Sequence, residues 1–199
     1  TGRSVASEIG KAISNTFIFA VAASLVGFSL GALFGTIAGY TNGSWVDKTV
    51  SGIAIAGVSV PHYWLGMVLV IVFSVTLNWL PAMGAGAGGS ADWSWDYDHM
   101  KYMILPALTL SAIPTGIITR TLRALVADIL SREFVTALAA KGLAQKAIFM
   151  HVVKNAAPTA LAVMGVQLGY LLGGSILVET VFSWPGTGML LNNAIFQRD

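Results

Sequence analysis

The apolar and polar positions of this chain alternate in long blocks. Residues 12–46 contain no Asp, Glu, Lys or Arg, and within them Phe17 to Tyr40 is a predominantly apolar run. As a helix that run measures roughly 36 Å at about 1.5 Å per residue. A bilayer's hydrocarbon core is about 30 Å thick, so the pattern predicts a spanning helix over about 15–40. Residues 49–91 are equally free of these charges, but Pro61 interrupts them. They predict a crossing at about 62–80, approached by a helix from about residue 48. Trp64 and Trp79 fall near its two ends, where indole rings favour the membrane–water boundary. A third uncharged run, 102–119, holds Pro106 and Pro114, which membrane helices tolerate when neighbours satisfy the freed carbonyls. It predicts a span over about 102–128, with Arg120 and Arg123 snorkelling to the interface. The fourth run predicts a span over 155–178. The tail, 180–199, reads as a loop followed by a short amphipathic helix.

Composition turns these runs into a fold class. Charged residues are 10% of the 199, apolar types 55%, and the mean hydropathy is +0.74. A soluble domain carries roughly 25% charge, so this chain cannot cover a water-facing surface. The expectation is an all-α, polytopic membrane helix bundle forming a single domain over 1–199. Loop charge sets its orientation. Residues 120–154 hold Arg120, Arg123, Arg132, Lys141, Lys146 and Lys154 against Asp128 and Glu133, whereas residues 79–101 hold Asp92, Asp96 and Asp98 against Lys101. The basic loop is therefore cytoplasmic and the acidic one external. Thr1 and the polar stop at Asp199 read as the ends of a piece cut from a longer polypeptide.

Candidate chemistry is sparse. The chain has no cysteine, which excludes disulfides and thiolate metal sites. Gly10-Lys11 is followed by Ala12, and Val5 stands where a phosphate-binding loop needs its first glycine. His62, His99 and His151 are too far apart for a helical zinc pair. The Asp92, Asp96, Asp98 and His99 group matches no calcium-loop spacing and reads as a solvated acidic loop. No ionisable residue sits mid-span, which argues against a proton-coupled carrier. No catalytic residue, cofactor, metal or nucleic-acid partner is expected.

Three features remain. Gly27, Gly31, Gly35 and Gly39 recur every fourth residue in the first span, as Gly165, Gly169 and Gly173 do in the last. Such stripes let helix backbones approach closely in lipid, and both are expected to be buried against other helices. The loop at about 131–152 is longer than a simple connection requires. Ala137, Leu138, Ala140 and Leu143 give it an apolar helical face, and Gly142 ends the helix. An apolar face in the cytoplasm needs a partner; an interfacial helix lying on lipid is the alternative. In the tail, Trp184-Pro185-Gly186 cannot continue a helix. Glu179, Trp184, Pro185, Gly186 and Gly188 then form a turn at the outer mouth, either an external gate anchored by Glu179 or a plain packing loop.

The cytoplasmic segment resembles the "EAA" loop of ABC importer permeases, whose pattern is Glu-Ala-Ala, three residues, then Gly. Thr136, Ala137, Leu138 and Gly142 stand at those positions. Phe134 to Leu143, with His151 and Asn155, is similar to the peptide-importer branch. So are Ser59-Val60-Pro61-His62-Tyr63-Trp64-Leu65-Gly66, Leu105 to Leu110, and Glu179 to Gly188. The resemblance covers essentially the whole chain and is to the first of two permeases of dipeptide, oligopeptide, glutathione or nickel importers. It implies the type I, MetI-like permease fold, with one helix before this region and one after. It implies half of a translocation pathway in the inner membrane, completed by a second permease subunit. Two cytoplasmic ABC ATPases would drive it and an extracytoplasmic substrate-binding protein would deliver the solute. Phe134, Thr136, Ala137, Leu138, Ala140, Lys141, Gly142 and Leu143 would then couple to the ATPase. A channel or secondary carrier independent of ATP is the alternative.

Overall fold

A computed structural model describes residues 5–87, 93–94, 96–174 and 176–197. Among these residues the secondary structure is helical: α1 (Val5–Tyr40), α2 (Trp45–Ser59), α3 (His62–Leu69), α4 (Tyr97–Leu130), α5 (Glu133–Ala140), α6 (Gln145–Gly174), α7 (Ile176–Phe182) and α8 (Thr187–Gln197). The architecture is the all-α membrane bundle that the apolar runs imply. Three helices, α1, α4 and α6, are long and apolar enough to cross a bilayer. Pro106, Pro114 and Pro158 lie within α4 and α6 without ending them.

The second apolar run folds differently from the expected crossing at 62–80. α2 and the helix from His62 to Thr76 meet at a bend of 105° and make a further span only if taken together. Pro61 sets the bend: its φ of −59° and ψ of 133° are extended, and it precedes α3 as an N-cap without a side-chain bond. Past Leu69 the helix widens into a π-helical stretch, Val70–Thr76. There the Leu77 N–H reaches back five residues to the Val72 carbonyl, and the Trp79 N–H bonds to Phe73. π-helical turns are rare, and this one ends the helix at Thr76, short of residue 80.

The chain forms two compact units, through both of which α1, α4 and α6 pass. The first comprises residues 1–26, 60–112 and 168–199. In it α7 packs against α3 and α8, and Gly66 faces the Phe182 ring, leaving a Cβ only 3.0 Å of clearance. Trp184, Phe19, Phe182, Leu105 and Leu110 are fully buried.

The second unit comprises residues 27–59 and 113–167. Its centre is a cluster of Ile118, Leu122, Val126, Ile129, Val135, Ile148, Val152, Ala156 and Ala160. α1 and α4 meet along the first glycine stripe: Gly31 faces Ile118, Gly35 faces Leu122 and Gly39 faces Val126. Both series rise together, so the two helices run parallel. Asp47 bonds to Arg123 while Ala54 approaches Gly116, so α2 runs antiparallel to α4. These directions are those of a chain that passes back and forth through the bundle.

Gly27, Gly31, Gly35 and Gly39 are all buried. The second stripe behaves otherwise and corrects the expectation that it is buried. Gly165, Gly169 and Gly173 are exposed, and a Cβ on any of them would meet nothing within 4 Å. Spacing alone marks a smooth helix face; whether another helix of the chain lies on that face depends on residues far away in sequence.

The two stripes therefore should respond oppositely to bulk. At Gly35 a Cβ would sit 2.7 Å from the Leu122 Cβ and 2.8 Å from the Thr119 carbonyl oxygen. Gly35→Leu should destabilise the detergent-solubilised protein by about 1–3 kcal/mol, the usual range for overpacking. Gly165→Leu should leave this chain's own packing unchanged. Thermal unfolding of the two variants side by side checks the assignment, and equal losses would contradict it.

Candidate functional site

The short helix α5 is placed by its two ends. Only Ser131 and Arg132 separate it from α4, and their N–H groups bond to the Asp128 and Ile129 carbonyls. Arg132 is the extended N-cap residue, and Glu133 lies in the first turn, where a negative charge suits the helix dipole. At the other end Gly142 has φ +79°, a left-handed conformation that favours glycine. Its N–H bonds to the Ala139 carbonyl, and the Leu143 N–H to that of Leu138. This is the Schellman arrangement, in which the residue after the glycine packs on the last helical turn.

That end closure decides which face of α5 looks inward. Phe134, Val135, Leu138 and Leu143 pack on the second unit's hydrophobic cluster. Leu138 and Leu143 were expected on the exposed face; they are half-buried, with Leu143 folded under the helix by the turn at Gly142. Phe134 is half-buried too. The exposed face is Thr136, Ala137, Ala140 and Lys141, with Ala139 beside them. The methyl groups of Thr136, Ala137, Ala139 and Ala140 make a low surface beside the exposed Lys141, which allows another protein's backbone or side chains close approach.

The turn after α7 forms a second site, held by its own network of hydrogen bonds. Ser183 takes a left-handed φ of 52°. Its N–H bonds to the Thr180 carbonyl and the Trp184 N–H to that of Glu179 at 2.8 Å, again a Schellman closure. The Glu179 side chain is fully buried. One carboxylate oxygen accepts the Thr16 hydroxyl at 2.9 Å and the other the Gly188 N–H at 2.7 Å. Thr16 Oγ1 also accepts the Thr187 N–H at 2.8 Å. Asn15 completes the ring: its Nδ2 donates to the Pro185 carbonyl at 2.9 Å, and its own carbonyl accepts the Trp184 indole N–H at 3.2 Å. Gly186 and Gly188 are required by this packing. A Cβ on Gly186 would lie 2.5 Å from the Glu179 carboxyl carbon, and one on Gly188 would lie 2.5 Å from the Ile176 backbone. Trp184 stacks obliquely on Phe19 and Trp93, with centroids 5.6 Å and 4.9 Å away.

Sequence reasoning did not single out Asn15 and Thr16. Their only signal is that two hydrogen-bonding side chains stand together at the start of the first apolar run. It also missed Asp47. Arg123 does not snorkel to water alone: its Nε and Nη2 fork the Asp47 carboxylate at 2.8 Å and 2.7 Å, and Nη2 also donates to the Asn42 side-chain oxygen at 2.9 Å. Asp47 is buried and further accepts the Gly43 N–H and the Ser51 hydroxyl. The available signal was that Asp47 and Lys48 are the only charged residues between positions 12 and 91.

In the acidic loop the described carboxylates have partners within the protein. Asp96 accepts bonds from Ser94, from the His99 N–H and from the His99 ring, and these hold its carboxyl well below the ordinary carboxylate range. Asp98 pairs with Lys101, and Asp92 lies outside the described residues. Among the described residues no three potential metal ligands come together.

The helical membrane bundle with its short, closed α5 has a counterpart among known proteins. Residues 31–199 match the model of the binding-protein-dependent transport system inner membrane component family. The chain belongs to that family. It is accordingly an inner-membrane protein. It is 37% identical over 198 residues to the glutathione transport system permease protein GsiC of Escherichia coli (strain K12), covering 99% of this chain and 61% of that protein. The same protein of Shigella flexneri serotype 5b is equally similar. The di/tripeptide transport system permease protein DppB of Pseudomonas aeruginosa (strain UCBPP-PA14) is 35% identical over 206 residues, covering 92% of this chain and 60% of that protein. The chain thus spans about three-fifths of the length of these permeases.

Two substitutions probe the polar sites of this family member. Glu179→Ala strips the partner from the buried Gly188 N–H, at about 1–3 kcal/mol for a group left unsatisfied, and leaves the Thr16 hydroxyl only its contact with the Thr187 hydroxyl. A lower unfolding temperature with increased thiol labelling of a cysteine placed at Thr187 is the expected result. Asp47→Ala leaves Arg123 without its carboxylate. Breaking a buried pair costs about 3–5 kcal/mol, and the partial exposure of Arg123 should bring the loss below that range in the same unfolding assay.

Proposed function

We propose that this chain is a transmembrane permease subunit of an ATP-binding-cassette importer and forms half of the translocation pathway for di- or oligopeptides or a similar small solute. A second permease subunit completes the pathway. Two cytoplasmic ATPase subunits bind and hydrolyse ATP, and an extracytoplasmic binding protein delivers the solute. The chain contributes no ATP site and no catalytic residue of its own.

The observation that carries this reading is α5. A helix of this length gains little stability alone, yet it is closed at its C-terminal end by the Gly142 turn and fixed by Phe134, Val135 and Leu138 to the unit's core. Its outer face is left bare and small. A rigid, shallow projection at the cytoplasmic end of a transport bundle suits a cleft in a soluble subunit that opens and closes. Thr136, Ala137, Ala140 and Lys141 form the contact, Phe134, Leu138 and Leu143 hold it in place, and Gly142 ends it. The peptide assignment draws on the glutathione and di/tripeptide permeases to which the chain is similar. The ring around Glu179 closes the outer end of the pathway in this scheme.

Ala137→Glu in the assembled importer tests the coupling. Charge on the outward face should reduce co-purification of the ATPase and lower uptake of labelled dipeptide at least about tenfold, the factor expected for roughly 1.4 kcal/mol of lost docking energy. Membrane insertion and the unfolding temperature of the subunit should not change, because Ala137 is outside the core. Unchanged uptake and co-purification would remove α5 from the ATPase contact.

A further inference from the structure

The second unit carries a pocket of about 560 Å³ between α2 and α4 that the transport reading does not use. We propose that it binds the phosphate of an anionic lipid headgroup from the cytoplasmic leaflet. Its walls include Lys48, Arg120 and Arg123 against a single carboxylate, Asp47. That carboxylate is already occupied by the Arg123 fork, the Gly43 N–H and the Ser51 hydroxyl. Lys48 and Arg120 are exposed and have no carboxylate partner among the described residues. The pocket therefore presents two uncompensated cations above a neutralised pair, an arrangement that attracts a phosphate.

Its polarity is graded along the helices. α2 and α4 run antiparallel, so Asp47 and Lys48 lie opposite Arg120 and Arg123, while Ile55 and Ile117 line the end nearer the contact of Ala54 with Gly116. Ile117 belongs to the uncharged run of α4, and Arg120 is the first charge after it. Trp45, at the start of α2, is 77% exposed, as suits an indole at the headgroup level. The cationic end thus lies at the membrane boundary and the isoleucines face the hydrocarbon. A free phosphate would use only the first half of this pocket; a phospholipid uses both, with its glycerol and acyl carbons against Ile55 and Ile117. The loop charge puts this end on the cytoplasmic side, where anionic lipid heads and basic pockets meet.

The test uses the intact transporter, delipidated in detergent, with thermal unfolding followed during titration of phosphatidylglycerol, phosphatidylcholine or inorganic phosphate. Phosphatidylglycerol should raise the unfolding temperature saturably, and the other two should not. In a Lys48→Gln, Arg120→Gln double variant the half-saturating lipid concentration should rise at least about tenfold, as the loss of two headgroup contacts implies. The Lys48→Arg, Arg120→Lys variant should retain the wild-type response. A photoactivatable phosphatidylglycerol should label wild-type protein within residues 45–55 or 117–124. An equal lipid response in the Gln variant, or labelling elsewhere alone, overturns the pocket assignment. An equal shift with inorganic phosphate overturns the lipid and leaves a soluble phosphate as the ligand. If the Gln variant fails to assemble, the labelling position decides. None of these readouts depends on transport.

Discussion

The approach of α1 to α4 along Gly31, Gly35 and Gly39 is the contact from which the second unit is built. In lipid there is no hydrophobic gain in bringing two apolar helices together, because acyl chains solvate them as well as each other does. What remains is dispersion at short range and the hydrogen bonds that closeness permits. With Ile118, Leu122 and Val126 seated over the glycines, the backbones lie near enough for each residue's register to be fixed. That register puts Arg123 beside the α1–α2 turn, where Asp47 and Asn42 meet it. A side chain at any of the three glycines would move α4 away and break the ion pair as a consequence.

The same closing device ends α5 in the second unit and α7 in the first, with different residues. At α5 the left-handed position is Gly142, the expected choice where no other force operates. At α7 it is Ser183, which takes a conformation uncommon outside glycine. The difference lies in what surrounds each turn. The α5 turn is exposed and relies on its own backbone. The α7 turn is held by Asn15, Thr16 and the buried Glu179, whose bonds to Thr16 and Gly188 fix the chain on both sides of the bend. Glycine is needed there at positions 186 and 188 instead, because the carboxylate and the Ile176 backbone leave no room for a Cβ.

What the sequence made legible was whatever a helix determines by itself. Blocks without charge located α1, α4 and α6, Gly142 marked the end of α5, and Pro61 marked the break before α3. Partnership between distant segments was less legible. The two glycine stripes look alike in spacing, yet only Gly27 to Gly39 is covered, since coverage depends on the Ile118, Leu122 and Val126 ridge of another helix. Leu138 and Leu143 had the spacing of an exposed apolar face, but Val135 and Phe134 on the preceding turn shift the buried arc toward them. Asp47 and Arg123 lie 76 positions apart, and no local pattern announces such a pair. The π-helical stretch at Val70–Thr76 gave no sign either, its residues being ordinary for a membrane helix.

The placement of α5 on the α4 core has a mechanical consequence under the importer reading. Val135 and Leu138 touch the cluster that contains Ile118, Leu122, Val126 and Ile129, four residues along one face of α4. Force applied to Ala137 and Ala140 passes through one layer of side chains into that helix. Three of the four α4 residues are the ones seated in the α1 glycines, where interpenetrating surfaces resist sliding. Cores packed at this density move as bodies rather than deforming continuously. α1 and α4 of this unit therefore move with α5, and a motion started at the cytoplasmic helix displaces the parallel pair as one piece.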